Sequence, residues 1–340
     1  MTTWGVCDNA NYPESTMRVE QLQRWGGTCR RSIAIPGRWD ALIQSMALFK
    51  QAGLKNLVVF TTESAGCDFD NTDLYNQRLA EFCSQAQGVL DAVEIHNELD
   101  TPDWGITDAQ IVYATQRGAD TVHRYGVQAY APSIIGDPAA GRFAYLAEHT
   151  KDDVDVMVLH PYFRSIAGLP YPNWLYGTVE DATRIVEQLT DKPIAYTEIG
   201  FPRVYLGMTE DEQAQCTLAA FHYDHPRINE IYQFCLNNLM VPGGEVNDGK
   251  FWGIEGQKAD RLLSKETVPT FVLGFERWHN LEPELIGDAV VNERGPFNGM
   301  SQQLTTTGLL TWTALGFTFW HIPSRKMYIW HPDWQHSKEA

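Results

Sequence analysis

The chain has 340 residues, enough for one large domain or for a large domain followed by a small one. Its formal net charge is −17, whereas a phosphate backbone is bound by clusters of Lys and Arg, so nucleic acid is excluded as an expected partner. No run of residues approaches the roughly 18 apolar positions of a membrane-spanning helix, so we expect no membrane partner either. This charge balance suits a neutral substrate.

The N-terminal residues, Met1 to Trp4, contain no basic region and no apolar stretch, so no secretory signal is visible. We expect either a cytoplasmic protein or a secreted one whose signal has been removed. The oligomeric state stays open.

The cysteines form no Cys-x-x-Cys pair, and most of them lie in apolar, periodic segments. We therefore predict buried thiols rather than a disulfide framework or a zinc site. The six residues are Cys7, Cys29, Cys67, Cys83, Cys216 and Cys235.

Strand-like and helix-like segments alternate from the N-terminus to about residue 283. Eight segments read as strands, and their starts lie about 32 residues apart on average, which is the length of one βα unit. Eight such units predict an α/β fold, a closed (β/α)8 TIM barrel of about 250 residues, rather than an open sheet. The predicted strands are Trp4–Cys7, Cys29–Ile35, Asn56–Thr61, Ala92–His96, Val127–Ala131, Asp155–Leu159, Pro193–Thr197 and Glu230–Leu236.

Helix signals fill the gaps between these strands. Gly53 follows a segment of helical periodicity and is typical of a helix C-terminus. Thr107-x-x-Gln110 and Thr209-x-x-Glu212 read as capping boxes that open two of the helices. The segment 267–278 is predicted to be the eighth helix, which closes the barrel.

The composition changes after about residue 284, where Gly-Pro and Asn-Gly turn signals separate short runs rich in Thr and aromatic residues. This pattern predicts a small β-rich module over residues 284–335, after a barrel domain over residues 1–283. We expect residues 336–340 to form a frayed tail. The predicted strands of the module are Leu309–Trp312, Phe317–Trp320 and Met327–Trp330.

Two glutamates stand at the ends of predicted barrel strands, Glu98 after the fourth and Glu198 after the seventh. Functional groups of a TIM barrel lie at the C-terminal ends of its strands, so both carboxyl groups are expected at the same mouth. Glycoside hydrolysis needs two carboxyl groups that flank one bond, one protonated and one ionised. We therefore interpret the pair as catalytic, with Asn97 placed to hydrogen-bond a sugar 2-hydroxyl.

Strands six and two supply further candidates. Tyr162 is a candidate hydrogen-bond donor to the nucleophilic carboxylate, and His160 is expected to line the site or contact Glu98. If Ile33 and Ile35 face the helices, strand alternation places Arg30 inside the barrel, where an Arg near Glu198 would lower the pKa of that carboxyl group and keep it nucleophilic. Arg31 is the alternative.

Aromatic residues at predicted loop positions are candidate platforms for sugar rings. Trp39 follows strand two and Trp252 lies in the loop after strand eight. Trp104 and Trp174 occupy similar positions after strands four and six. Glu94 is interpreted differently, as a buried structural carboxylate paired inside the barrel.

Three motifs in order resemble those of the clan A retaining glycoside hydrolases, such as families 5 and 39. They are Glu94-Ile-His-Asn-Glu98, His160-Pro-Tyr162 and Thr197-Glu-Ile-Gly-Phe201. The first has His96 where the clan often has Trp. The resemblance implies a (β/α)8 barrel, a double-displacement mechanism without metal or organic cofactor, and a β-linked oligo- or polysaccharide substrate. It also implies that Glu98 is the acid/base and Glu198 the nucleophile.

Two other interpretations use the same residues. His96, Glu98, His160 and Glu198 could bind a divalent metal in a barrel hydrolase, although no His-x-His pair stands at a strand end. A barrel that binds glycans without cleaving them is the non-enzymatic alternative.

Overall fold

The structure is a computed structural model that describes residues 2–8, 17–99, 106–134, 141–162, 164–166, 169, 177–235, 253–254 and 257–264, together with the C-terminal strands given below. The chain divides into two compact units, Met1–Leu263 and Ser264–Ala340. The predicted domain boundary at residue 283, the predicted helix 267–278, and Trp104, Trp174 and Trp252 lie outside the described residues.

The first unit is built on an eight-stranded parallel sheet with the order β5-β4-β3-β2-β1-β8-β7-β6. The two edge strands meet through a parallel bridge between Tyr130 and Val156, with Ala131 N–H donating to Val156 O at 2.9 Å. The sheet is therefore closed, and the fold is the predicted TIM barrel. Its strands are β1 Thr3–Cys7, β2 Cys29–Ile33, β3 Lys55–Phe60, β4 Ala92–Ile95, β5 Gln128–Tyr130, β6 Met157–Leu159, β7 Ile194–Ile199 and β8 Ile228–Gln233.

Helices follow the strands, and both predicted capping boxes are confirmed. Thr107 accepts from the backbone of Gln110, and Thr209 accepts from that of Glu212, with the reciprocal bonds also present. Gly53 follows the second helix with φ 76°, as its predicted role at a helix end requires. The helices are α1 Val19–Arg24, α2 Trp39–Gln51, α3 Thr62–Ala65, α4 Thr72–Gln85, α5 Asp108–His123, α6 Gly141–Thr150, α7 Val179–Leu189, α8 Arg203–Leu206, α9 Glu210–Phe221 and α10 Lys258–Leu263.

The barrel interior is filled by aliphatic, cysteine and tyrosine side chains, and polar groups lie at the ends of this layer. At the N-terminal end of the strands, Lys55 Nζ lies 2.6 Å from Glu230 Oε1, and Tyr130 donates to Glu230. The catalytic candidates lie at the opposite end. The interior cluster takes residues from every strand or its immediate flank: Cys7, Cys29, Leu57, Ala92, Tyr130, Val156, Val158, Ala195 and Tyr232.

All six cysteines are free thiols, and five of them are buried, as predicted; Cys67 is half-buried. Among the described helices, none is both long enough and apolar enough to cross a bilayer.

The second unit contains a six-stranded antiparallel sheet with the order β14-β13-β12-β11-β10-β9. The three predicted strands are present, and their register places Trp312, Phe317 and Trp330 opposite one another. The expected frayed tail is wrong in part, because residues 338 and 339 form a short strand paired with Ile329 and Tyr328. The strands are β9 Arg294–Phe297, β10 Met300–Leu304, β11 Gly308–Thr313, β12 Gly316–His321, β13 Lys326–Trp330 and β14 Lys338–Glu339.

Candidate active site

The barrel brings the predicted pair together at the C-terminal end of its strands. Glu98 follows β4 by three residues, and Glu198 is the fifth residue of β7. One carboxylate oxygen of each lies within 4.8 Å of the other. Glu198 is buried, whereas the side chain of Glu98 is 24% exposed, so the two carboxyl groups have different surroundings.

Glu198 is held as an ionised carboxylate. Arg31 donates to its Oε1, and the Tyr162 hydroxyl donates to its Oε2. Burial by itself opposes ionisation, but the charges of Arg31 and His160 and the Tyr162 hydrogen bond outweigh it and lower the pKa of Glu198. Burial and the neighbouring carboxylates raise the pKa of Tyr162 well above its usual range, so its hydroxyl stays a donor.

Arg31 connects three side chains of the site. Its guanidinium binds Glu94 with two bonds, Nε to Oε2 at 2.8 Å and Nη2 to Oε1 at 3.0 Å. Nη2 also donates to Asn97 Oδ1 at 2.8 Å, and Nη1 binds Glu198. Glu94 is thus the buried, paired carboxylate that the sequence predicted. The fixed geometry of the guanidinium orients Glu198 and Asn97 relative to each other.

Asn97 and Glu98 are anchored to the end of β5 by Ser133. Glu98 N–H donates to Ser133 Oγ at 3.0 Å, and the same hydroxyl donates to Asn97 Oδ1 at 3.3 Å. Since Asn97 Oδ1 accepts from both Arg31 and Ser133, its Nδ2 is the atom left to donate to a ligand. Within the described part of the chain, no residue accepts from it.

His160 lies between Glu98 and the strand β7 that carries Glu198. Its Nδ1 is 2.7 Å from Glu98 Oε1, and its Nε2 is 2.9 Å from Thr197 Oγ1. Burial would lower its pKa, but Glu198 and the hydrogen bond to Glu98 outweigh burial and raise it. The predicted contact between His160 and Glu98 is therefore confirmed.

Because the pKa of His160 is raised, its contribution to the free energy of unfolding should depend on pH. Such a group stabilises the fold fully below its unfolded pKa, about 6.5, and this contribution is lost as the pH rises through its folded pKa. We expect the stability lost in His160→Gln to be greatest at about pH 5–6 and to shrink towards pH 9. Urea unfolding of both proteins across this range measures it. A difference that grows with pH would contradict the assignment.

The prediction that Arg30 faces the barrel interior is wrong. Arg30 lies on the helix side of β2, with its guanidinium carbon 4.0 Å from the ring centroid of Phe49. Its Nη1 donates to Ser45 at 2.7 Å and lies 3.6 Å from Asp8. Arg31, the alternative, occupies the interior. Arg30 is completely buried behind the strand, so its predicted role in substrate binding falls as well.

Trp39 opens α2 and is half-buried. Its ring packs against Phe60 and Phe82, with centroids 5.8 and 5.5 Å apart. It also lines a surface cavity of about 310 Å³ together with Ser64 and Arg78. Its role as a sugar platform stays a prediction.

Sequence reasoning missed three contributors to the site. Ser133 lies just after β5, and Thr197 lies within the strand-seven motif without having been given a role. Cys7 donates from its thiol to Thr197 O at 3.2 Å, beneath Glu198. Serine, threonine and cysteine are common in strands, so the sequence does not single these three out. Only the folded barrel shows which of them lie beside Asn97, Glu98 and Glu198.

The same site offers one ligand atom each from Glu98, His160 and Glu198, within 4.8 Å of one another. These atoms fit a divalent metal poorly. Both oxygens of Glu198 already accept hydrogen bonds, and a cation there would lie beside the guanidinium of Arg31.

Solved structures with the same fold include several glycoside hydrolases. An endo-β-1,3-glucanase of family 128 from Amycolatopsis mediterranei, in complex with laminaritriose, has a TM-score of 0.50 and 14% identity over 78% of this chain and 100% of that one. A family 113 β-1,4-mannanase has a TM-score of 0.50 and 14% identity over 78% of this chain and 96% of that one. A family 17 β-1,3-glucanosyltransferase from Rhizomucor miehei has a TM-score of 0.51 and 11% identity over 74% of this chain and 92% of that one.

No protein-family profile and no curated protein sequence matches this chain. At identities this low, the structural likeness establishes the fold: an eight-stranded parallel barrel of the kind found in these glycoside hydrolases.

Proposed function

We propose that this protein is a retaining glycoside hydrolase of clan A type that cleaves β-glycosidic bonds of an oligo- or polysaccharide. The observation that carries the proposal is the pair Glu98 and Glu198, which share one barrel mouth in contrasting environments. Glu198 is buried and kept ionised by Arg31 and Tyr162, as a nucleophile requires. Glu98 is more exposed, as a group that exchanges protons with a leaving oxygen and with water requires.

The spacing supports retention of configuration. Carboxyl groups are about 5–5.5 Å apart in retaining enzymes and about 6.5–9.5 Å apart in inverting ones, which must fit a water between the carboxylate base and the sugar. One oxygen of Glu98 lies within 4.8 Å of one oxygen of Glu198, a closeness that favours the retaining arrangement over the inverting one.

The reaction proceeds in two displacements. Glu198 attacks the anomeric carbon while the bond to the leaving oxygen breaks and Glu98 gives that oxygen its proton. Glu98 then takes a proton from water, the water oxygen attacks the anomeric carbon, and the bond to Glu198 breaks. The chemistry needs no metal or organic cofactor.

The remaining residues orient the substrate and the two catalytic carboxyl groups. Asn97 donates from Nδ2 to the sugar 2-hydroxyl, and Tyr162 and Arg31 hold Glu198 in its attacking orientation. His160 holds Glu98. Trp39 and Trp252 stay candidate sugar platforms.

A polysaccharide panel tests the proposal. It contains β-1,3-glucan and β-1,4-mannan, the linkages named for two of the solved structures, besides other β-linked glycans. We expect reducing ends to appear with wild type and to be absent with Glu198→Gln. Binding without cleavage would favour a glycan-binding barrel, and activity lost on chelation and restored by a divalent cation would favour the metal-dependent alternative.

Tyr162→Phe isolates the hydroxyl that donates to Glu198. Its removal takes away an interaction that lowers the pKa of Glu198, so that pKa rises. The acid limb of kcat/KM should move to higher pH, and the maximum should fall by about 10- to 1,000-fold. An acid limb that stays in place would contradict the role of this hydrogen bond.

A further inference from the structure

The loop after β4 has an unusual backbone. His96 has φ 65° and Glu98 has φ 47°, and they are the non-glycine residues with positive φ in the described part of the chain. L-residues rarely adopt this conformation, and it persists only where the surroundings impose it. The strained turn carries Asn97 and Glu98 into the site.

An aromatic stack holds the first residue of this turn. The His96 ring is stacked on Tyr75 with centroids 4.2 Å apart and planes 20° apart, and Phe69 lies 5.2 Å away. Phe60 O at the end of β3 accepts from His96 N–H at 3.0 Å and from the Tyr75 hydroxyl at 2.8 Å. Ring and backbone of His96 are thus fixed by the same two elements, β3 and α4.

The imidazole of His96 works as an aromatic surface and not as an acid or base. Burial lowers its pKa to about 3, so the ring is neutral throughout the physiological range. Its Nε2 is buried and has no hydrogen-bond partner among the described residues. A buried nitrogen without a partner costs desolvation free energy, so the favourable contacts of this side chain are those of the ring as an aromatic surface.

We propose that His96 is a positioning residue for Glu98: its ring, stacked on Tyr75 and packed against Phe69, holds the left-handed turn that aims the Glu98 carboxyl at His160. The inference rests on the proposed function of Glu98 as acid/base. Ser133 fixes the turn from the other side, through Glu98 N–H and Asn97. Without the ring, the turn keeps the backbone bond from His96 N–H to Phe60 O and the bonds of Asn97 and Glu98 to Arg31 and Ser133, but it loses the aromatic packing on its first residue.

The test separates ring from backbone. His96→Gly removes the ring but readily adopts positive φ. His96→Ala removes the ring and does not readily adopt positive φ. His96→Phe keeps an aromatic ring without the nitrogens. Tyr75→Leu removes the stacking partner, and Tyr75→Phe removes only its hydroxyl. If the glycine and alanine variants fail to fold, His96→Asn and Tyr75→Leu replace them, because Asn tolerates the left-handed region.

The readout is the dependence of kcat/KM on the leaving group, with aryl β-glycosides of the best-cleaved sugar. A misplaced acid slows poor leaving groups, which need a proton, and spares a dinitrophenyl group, which does not. We expect His96→Gly and Tyr75→Leu to lose about 10- to 100-fold with poor leaving groups and less than about 3-fold with dinitrophenyl, whereas His96→Phe and Tyr75→Phe resemble wild type. Equal losses with both leaving groups, or a loss in His96→Phe as large as in His96→Gly, would overturn the proposal.

A crystal structure of each variant separates this inference from the proposed function. The 2.7 Å contact between Glu98 and His160 should persist in His96→Phe and be lost in His96→Gly. If wild type cleaves no glycoside but these contacts behave as stated, the proposed function fails and the positioning role stands. If the contact is unchanged in His96→Gly, the positioning role fails whatever the activity.

Discussion

Glu198→Ala should lower kcat by about 10⁴-fold or more while the protein stays folded, because the nucleophile is lost and no neighbouring group can replace it. The cavity left by the side chain admits a small anion. Added azide should therefore restore turnover of an activated aryl β-glycoside and yield the α-glycosyl azide, since a single displacement inverts the anomeric centre.

The matched control is Glu230→Gln. Glu230 is also a buried carboxylate of the same barrel, paired with Lys55 at the opposite end of the strands. This variant should lose stability but keep its activity per folded molecule, and azide should have no effect on it. Azide rescue of Glu230→Gln, or none for Glu198→Ala, would count against Glu198 as the nucleophile.

Arg31→Lys should impair both stability and activity. A lysine keeps the charge but cannot bind Glu94, Asn97 and Glu198 at once, so buried carboxylates lose partners. We expect a loss of about 3 kcal/mol in the free energy of unfolding, as for other disrupted buried ion pairs. We also expect kcat/KM to fall about 100-fold or more, with its acid limb at higher pH, because Arg31 lowers the pKa of Glu198.

Arg30→Lys is the control for this experiment. Arg30 is the preceding residue and equally buried, but it contacts Ser45 and Asp8 on the helix side of β2. Its replacement should lower stability in urea unfolding and leave the acid limb of kcat/KM unchanged. Equal shifts of the acid limb in both variants would contradict the placement of Arg31 in the site.

The barrel and the position of the glutamates could be predicted because the βα repeat is regular. Strands of known spacing place Glu98 and Glu198 at one mouth, and His160 and Tyr162 follow directly after β6 at the same end of the barrel. These inferences depend on chain order and on where the strands end, and the structure brings these four residues together.

The orientation of β2 could not be predicted in the same way. Arg30, Arg31 and Ser32 are all buried, because the barrel interior covers one face of the strand and the helices cover the other. Polar residues on both faces remove the alternation that normally reveals the interior side. The contacts of Ser133, Thr197 and Cys7 depend on the closed barrel, and the turn at His96 depends on Tyr75 and Phe69, more than 20 residues away in the sequence.

Time-resolved ¹H NMR of the first product tests whether Glu98 and Glu198 act by double displacement. With the best substrate from the panel, we expect the β-anomer of the new reducing end to appear first and to mutarotate afterwards to the equilibrium mixture. An α-anomer as the first product would show a single displacement by water and would contradict Glu198 as a covalent nucleophile.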